Sequence, residues 1–148
     1  MIQFLKGNLF DSTSDILVNT VNTVGVMGKG IALEFKNRYP KNFQLYRGAY
    51  LRGELEIGKL FITKENSKLI INLPTKEHWR NKSKYSYVAE GLEALKFYLK
   101  SNPNLKSISI PALGCSNGGL DWNVVKEMIV ENLSDLNLDI YVFEPNLQ

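Results

Sequence analysis

The chain has 148 residues, with 18 Lys plus Arg against 15 Asp plus Glu, for a formal net charge of +3. Hydrophobic residues make up 44% and charged residues 22%, ordinary globular usage that excludes disordered, collagen-like and coiled-coil proteins. One cysteine excludes an internal disulfide framework, and no apolar run approaches the roughly 20 residues of a membrane span. A chain of this length folds as one domain that buries about 68–70% of its unfolded surface. Met1 to Lys6 lacks a signal-peptide layout. The expectation is one cytoplasmic domain over residues 1–148, with no membrane contact. The small positive charge permits an anionic partner without demanding one.

Ile2 to Leu5 is short and mixed, and reads as an edge strand; Gly7-Asn8 follows as a turn. Ile16-Leu17-Val18 is a β-branched apolar run, which predicts a buried strand stopping near Asn19. A glycine-spaced loop, Asn22 to Gly30, feeds a helix in which Ile31 and Phe35 lie one turn apart. Pro40 is expected to end that helix, and Asn42 to Leu51 to form a second one. Leu60-Phe61-Ile62 and Leu69-Ile70-Ile71 flank Glu65-Asn66-Ser67 and predict a hairpin. Pro74 to Lys84 is polar, cationic and aromatic, and reads as a loop. Val88, Leu92, Leu95 and Leu99 recur at helical spacing behind Ser86, an expected N-cap. Ile108-Ser109-Ile110 is a strand running into Pro111, and Gly114 to Gly119 is a second glycine-rich loop. Asp121 sits as the N-cap of a helix carrying Val125, Met128, Ile129 and Leu133, and Ile140 to Phe143 is the last strand. Alternating strands and helices predict an α/β three-layer domain.

The two loops share one grammar: strand, glycine-rich loop, helix. Glycines let backbone N–H groups approach a ligand, and a helix N-terminus adds about half a positive charge. Two such loops at strand C-termini favour a diphosphate ligand. Lys29 is followed by Gly30, which excludes a Walker A loop, and no G-x-G-x-x-G follows the first strand. The Cys and His count is too low for a structural zinc, and neither metal nor cofactor is expected. Cys115 and His78 could form a thiol–base pair, but simple packing of the cysteine is the stronger reading.

Several segments carry a resemblance. They are Val18-Asn19-Thr20-Val21-Asn22, the Gly25 to Ala32 loop, and Pro111 to Cys115 followed by Asn117-Gly118-Gly119-Leu120-Asp121-Trp122. Together they resemble a macro domain across essentially the whole chain. Asn19 to Ala32 and Leu73-Pro-Thr-Lys-Glu-His-Trp-Arg80 further resemble the macro domain of DarG-type antitoxins, which remove ADP-ribose from thymine bases in DNA.

The resemblance implies a single macro domain, a three-layer α/β/α fold with a mixed, roughly six-stranded sheet. ADP-ribose would bind in a cleft at the strand ends. Adenine would lie near Asn8 and Leu9, walled by Phe143. Val26, Met27, Gly28 and Gly30 would clamp the diphosphate from one side. Gly114, Cys115, Ser116, Asn117, Gly118, Gly119 and Leu120 would close the other side. Thr20, Asn22 and Thr75 would complete the site, with Asn22 facing the distal ribose.

Lys76 is implied as the catalytic residue, engaging the anomeric carbon of that ribose. Arg80, Lys82, Lys84 and the pocket walls are expected to lower its pKa. A relative pairs this lysine with an aspartate where this chain holds Gly118, so Lys76 would act with backbone donors and Asn22. His78, Trp79, Arg80, Lys82 and Lys84 interleave cations with aromatics, which suits single-stranded DNA. The alternative places Trp79 in the core.

The implied function is a DNA ADP-ribosyl glycohydrolase working without metal on ADP-ribosylated single-stranded DNA. The rivals are a non-catalytic ADP-ribose reader and a hydrolase of ADP-ribosylated protein or ADP-ribose phosphate. Full-length antitoxins of this type carry a further domain that grips an ADP-ribosyltransferase toxin. This chain ends soon after its last strand, as an excised domain or a free-standing enzyme, which leaves a toxin partner open.

Overall fold

The computed structural model describes residues 1–145. Its strands are β1 (Ile2–Leu5), β2 (Ile16–Asn22), β3 (Phe61–Glu65), β4 (Lys68–Lys76), β5 (Ser107–Ile110) and β6 (Asp139–Phe143). They form one six-stranded sheet in the order β1-β6-β5-β2-β4-β3. All neighbours pair parallel except β3 with β4. The helices are α1 (Gly30–Arg38), α2 (Pro40–Leu51), α3 (Tyr85–Ser101) and α4 (Trp122–Leu133).

Side-chain alternation along the strands splits the core in two. Ile16, Val18, Ile71, Leu73, Ile108, Ile110, Ile140 and Val142 pack with α3 and α4 on one face. Leu17, Val21 and Ile70 pack with α1 and α2 on the other. Both sheet faces are covered, which is why the central strands read as continuous apolar runs. The expected three-layer α/β/α architecture follows.

Several boundaries differ from expectation for local reasons. Tyr39 takes φ −129 and ψ 70, outside the helical region, because it precedes Pro40. Pro40 then opens α2 as its first residue, where its missing N–H costs nothing. The second helix therefore starts before Asn42. Helix α3 starts at Tyr85 with Lys84 as N-cap and no side-chain cap bond, so Ser86 caps nothing. The hairpin turn has Asn66 at φ 51 and Ser67 at φ 65, the two left-handed residues of a type I′ turn.

Strand β2 continues past Asn19 to Asn22, and β4 runs through Pro74 to Lys76, into the stretch expected to be loop. Strand β3 pairs β4 only as far as Asn72. Pro74 therefore lies beyond its reach, on a free edge that needs no N–H donor.

The parallel strands β1, β6, β5, β2 and β4 all end on one side of the sheet. The segments that follow them converge there.

Candidate functional site

A cleft of about 660 Å³ opens along these strand ends. Asn8, Leu9 and Phe143 lie by β1 and β6; Thr75, Lys76 and Trp79 lie by β4; the two glycine loops lie between. Strands β6 and β4 are three spacings apart, about 14 Å at 4.7–4.9 Å each. The cleft is thus long and narrow, with opposite ends of different chemistry.

The first loop lies on α2. A Cβ on Gly25, at φ +76, would sit 2.8 Å from the Tyr50 ring, so only glycine allows this approach. Asn22 organises the loop from beneath. Its Oδ1 accepts from Val24 N (3.1 Å) and Val26 N (3.2 Å), and its Nδ2 donates to Val26 O (2.7 Å). Tyr46 in α2 holds Asn22 in turn, its hydroxyl 2.7 Å from the Asn22 carbonyl and 2.9 Å from Oδ1. Burial raises the Tyr46 pKa well above the usual phenol range, so this donor stays protonated. Asn22 lines the cleft but spends its acceptor on the loop.

Lys29 is the N-cap of α1 and makes no side-chain cap bond. The first-turn N–H groups of α1, at Gly30, Ile31 and Ala32, therefore face the cleft without a protein cap. That is an anion site built from backbone and helix dipole. The second loop departs from the shared grammar. Asp121 caps α4, accepting from Asn123 N at 2.9 Å, and so neutralises that helix end. The loop instead closes on itself: Leu120 N–H donates to Gly114 O at 3.0 Å, with Gly114 at φ +72 and Gly119 at φ +78. A Cβ on Gly118 would collide with the carbonyl of Gly114, so no side chain fits there. Residues 114–118 line the cleft.

Lys76 owes its direction to a bulge. The register passes from Val21 opposite Pro74 to Asn22 opposite Lys76, leaving Thr75 as the extra residue. Alternation is broken, and both Thr75 and Lys76 line the cleft. Ser83 pins the bulge, its buried hydroxyl donating to Thr75 O, while its N–H donates to Gly118 O at 3.0 Å. It thereby ties the second glycine loop to the strand end that carries Lys76. Thr23 adds a tie from the first loop, its N–H and hydroxyl both donating to Glu77 O. Ser83→Ala is expected to leave ligand affinity of the cleft within about twofold and to lower any turnover that uses Lys76 by up to about a hundredfold, the cost of misplacing a reacting group by about 1 Å. Calorimetry beside single-turnover kinetics checks the split.

Burial lowers the Lys76 pKa first, and the charge of Lys29 lowers it second. The expected contributors Arg80, Lys82 and Lys84 play no part in that shift. Nζ reaches Trp79 O at 3.3 Å. Cys115 also lines the cleft, with its thiol pushed up to about 11 by burial and then by Asp121. Its Sγ donates to Leu113 O at 3.5 Å, while His78 Nδ1 accepts from Arg80 N at 3.1 Å, so the two are engaged elsewhere and the cysteine packs.

Other expected site residues fall elsewhere. The Met27 side chain is buried in the α1–α2 core, 3.8 Å from Asn19 Nδ2, and does not line the cleft. Gly119 and Leu120 lie outside the lining, Gly119 beside the Lys82 stem and Leu120 against the core. Asn8 Oδ1 accepts from Phe10 N at 2.9 Å, which leaves the amide nitrogen free to donate. Trp79 is 42% exposed at the cleft rim, so the core alternative fails. His78 lies 5.3 Å from its ring, and the Arg80 guanidinium sits 4.7 Å over it. Lys82 and Lys84 instead line a smaller hollow behind the loop, with Glu77, Asn81, Ser83 and Tyr87. Sequence reading missed Lys29, Tyr46 and Ser83. A lysine held between two glycines was a visible signal for the first; the other two act through distant contacts.

An α/β/α domain with an uncapped helix start and two glycine loops at its strand ends has the layout of one known family. The macro domain family model matches residues 18–129, and the chain belongs to that family. The chain is 45% identical over 150 residues to a DNA ADP-ribosyl glycohydrolase of Thermus aquaticus, covering 98% of this chain and 41% of that protein. It is 44% identical over 151 residues to one of Mycobacterium tuberculosis, covering 99% and 43%. The chain thus spans about two fifths of the length of these curated relatives. The solved macrodomain of Thermus aquaticus DarG matches with a TM-score of 0.92 over 98% of this chain and 99% of that one. Thermosipho africanus DarTG in complex with ADP-ribose matches with a TM-score of 0.92 at 32% identity, over 98% and 42%.

Proposed function

We propose that the chain binds ADP-ribose and hydrolyses its bond to thymine in single-stranded DNA, reversing DNA ADP-ribosylation. The observation that carries this reading is the partly buried Lys76 side chain, brought by a bulge into the lining of the same cleft as Asn8 and Phe143. The 44–45% identical relatives are named DNA ADP-ribosyl glycohydrolases, which supports ADP-ribosylated DNA as the substrate class. The base would lie near Asn8, and the diphosphate at the start of α1 between the glycine loops. The distal ribose would then lie against Lys76.

The Lys76 amine attacks the anomeric carbon. The bond to thymine breaks, its electron pair stays on the base, and the base takes the proton released by the amine. Water then displaces the amine, giving ADP-ribose and free lysine. These steps draw on the amine, backbone donors and water alone. Asn22 serves as a positioning residue that shapes the loop, and Tyr46 holds it. Trp79 at the rim offers a face for an unpaired base. An ADP-ribosyltransferase toxin remains a candidate partner only through the DarTG likeness.

The pH profile tests the role of Lys76. Only the free amine attacks, and its lowered pKa leaves more of it at neutral pH than an ordinary lysine has. Acid protonates it, so turnover should fall on the acid side with a slope of one. A flat profile down to about pH 5 would exclude a lysine nucleophile. Trp79→Ala should keep its melting temperature, because the ring is exposed, and weaken binding to modified DNA but not to free ADP-ribose. A thermal melt paired with DNA affinity checks it.

A further inference from the structure

The net charge of +3 is small because it is a difference between two strongly charged segments. Lys29, Lys36, Arg38, Lys41, Arg47 and Arg52 fall within residues 29–52, against Glu34 alone. Asp121, Glu127, Glu131, Asp135, Asp139 and Glu144 fall within the last thirty residues, against Lys126 alone. The fold separates these segments. Helices α1 and α2 cover one face of the sheet, while α4 packs on the other. The molecule therefore has a basic layer on one face, while on the other the acidic segment meets Lys96 and Lys100 of α3 at Asp135, an asymmetry that the net charge conceals.

Arg47 joins the basic layer to the first glycine loop. Arg47 is exposed, lies 5.2 Å over the Tyr50 ring, and packs against Gly25 of the first loop. Two residues away, Thr23 is bonded to Glu77 O, next to Lys76. Arg47 thus touches the outside of the first glycine loop, which Thr23 ties to the residue after Lys76. Arg38 and Arg52 are paired with Glu34 and Glu54, which leaves Arg47 and Lys41 as unpaired cations of α2 among the described residues.

We propose that the exposed side of the α1–α2 layer, led by Arg47, is a phosphodiester-binding surface that carries single-stranded DNA away from the modified base. It adds a second track to the one formed by the Trp79–Arg80 rim. The inference rests on the DNA substrate proposed above. A polyanionic strand fits this layer because each neutralised phosphate releases counterions, and of its six cations only Arg38 and Arg52 are held by carboxylates, those of Glu34 and Glu54.

The test uses Arg47→Glu, Lys41→Glu and a control, Lys106→Glu. Lys106 is exposed just before β5, at the end of the sheet away from the cleft, and its reversal changes net charge equally. Each protein is assayed on ADP-ribosyl-thymidine nucleoside and on a 20-mer single strand with one ADP-ribosylated thymine, across a salt series. All should cleave the nucleoside at the wild-type rate. On the 20-mer at low salt, Arg47→Glu should lose at least tenfold in kcat/KM and Lys41→Glu about threefold, each with a shallower salt slope. Lys106→Glu should stay within twofold. Equal losses for Arg47→Glu and Lys106→Glu would reduce the effect to net charge and overturn the surface. An Arg47→Glu and a Lys41→Glu that both match wild type on the 20-mer would overturn it too, and assign the layer to an acidic protein instead. If Arg47→Glu alone fails on the nucleoside, Arg47 acts through Gly25, and the Lys41→Glu result decides. Wild type inactive on both substrates would instead sink the proposed function, and binding of the unmodified 20-mer would still judge the surface.

Discussion

Lys76→Ala is expected to lower hydrolysis of ADP-ribosylated DNA by about 10²–10⁴-fold, while calorimetric affinity for ADP-ribose stays within about twofold. The amine meets the anomeric carbon only as the bond breaks, so its contribution appears in turnover and not in ground-state binding. At about 1.36 kcal/mol per tenfold, the loss amounts to roughly 3–5 kcal/mol of barrier lowering. Gly118, across the cleft from the amine, has no side chain that could take over its role. Lys76→Arg should not rescue, since a guanidinium does not deprotonate. A Lys76→Ala protein that kept near wild-type turnover would end the lysine mechanism.

Gly118→Ala is expected to abolish measurable ADP-ribose binding. The added Cβ would overlap the Gly114 carbonyl, which belongs to the backbone and cannot swing aside. The Gly114–Leu120 ring must open, and its cleft-facing residues move together. Ser83 binds Gly118 O and Thr75 O, so the disturbance passes on to the bulge that aims Lys76. Binding and turnover should therefore fall together, unlike the split expected for Lys76→Ala. An unchanged dissociation constant by calorimetry would show that the loop has room that its geometry denies.

The sequence made the layers legible because the central strands are buried on both faces. Ile16-Leu17-Val18 and Ile108-Ser109-Ile110 announce themselves as apolar runs, and Asp121 as a cap. It was weakest at the points that aim the chemistry. The bulge at Thr75 depends on how β2 and β4 register against each other, which no local pattern encodes. Pro74 argued for a loop because nothing local shows that β3 stops pairing at Asn72. Asn22 was legible as a site residue, but its hold on the loop through Val24, Val26 and Tyr46 was not, since Tyr46 is 24 residues away. The motif resemblance placed Met27 in the cleft with its neighbours. Backbone direction turns its side chain into the core, while Lys29, two residues on, turns outward. The shared strand–loop–helix grammar also treated the two helix starts as equal. Of these two starts only that of α1 lacks a side-chain cap, and Asp121, correctly read as a cap, is the reason α4 offers no anion site.

The decisive measurement is mass spectrometry of a single-stranded oligonucleotide ADP-ribosylated at one thymine, incubated with wild type and with Lys76→Ala, beside ADP-ribosylated protein. The expected result is return of the oligonucleotide to its unmodified mass with release of ADP-ribose by wild type only, and slower or no release from protein. An oligonucleotide left intact by wild type that still binds ADP-ribose would make the chain a reader. Release from protein alone would make it a hydrolase of a different substrate.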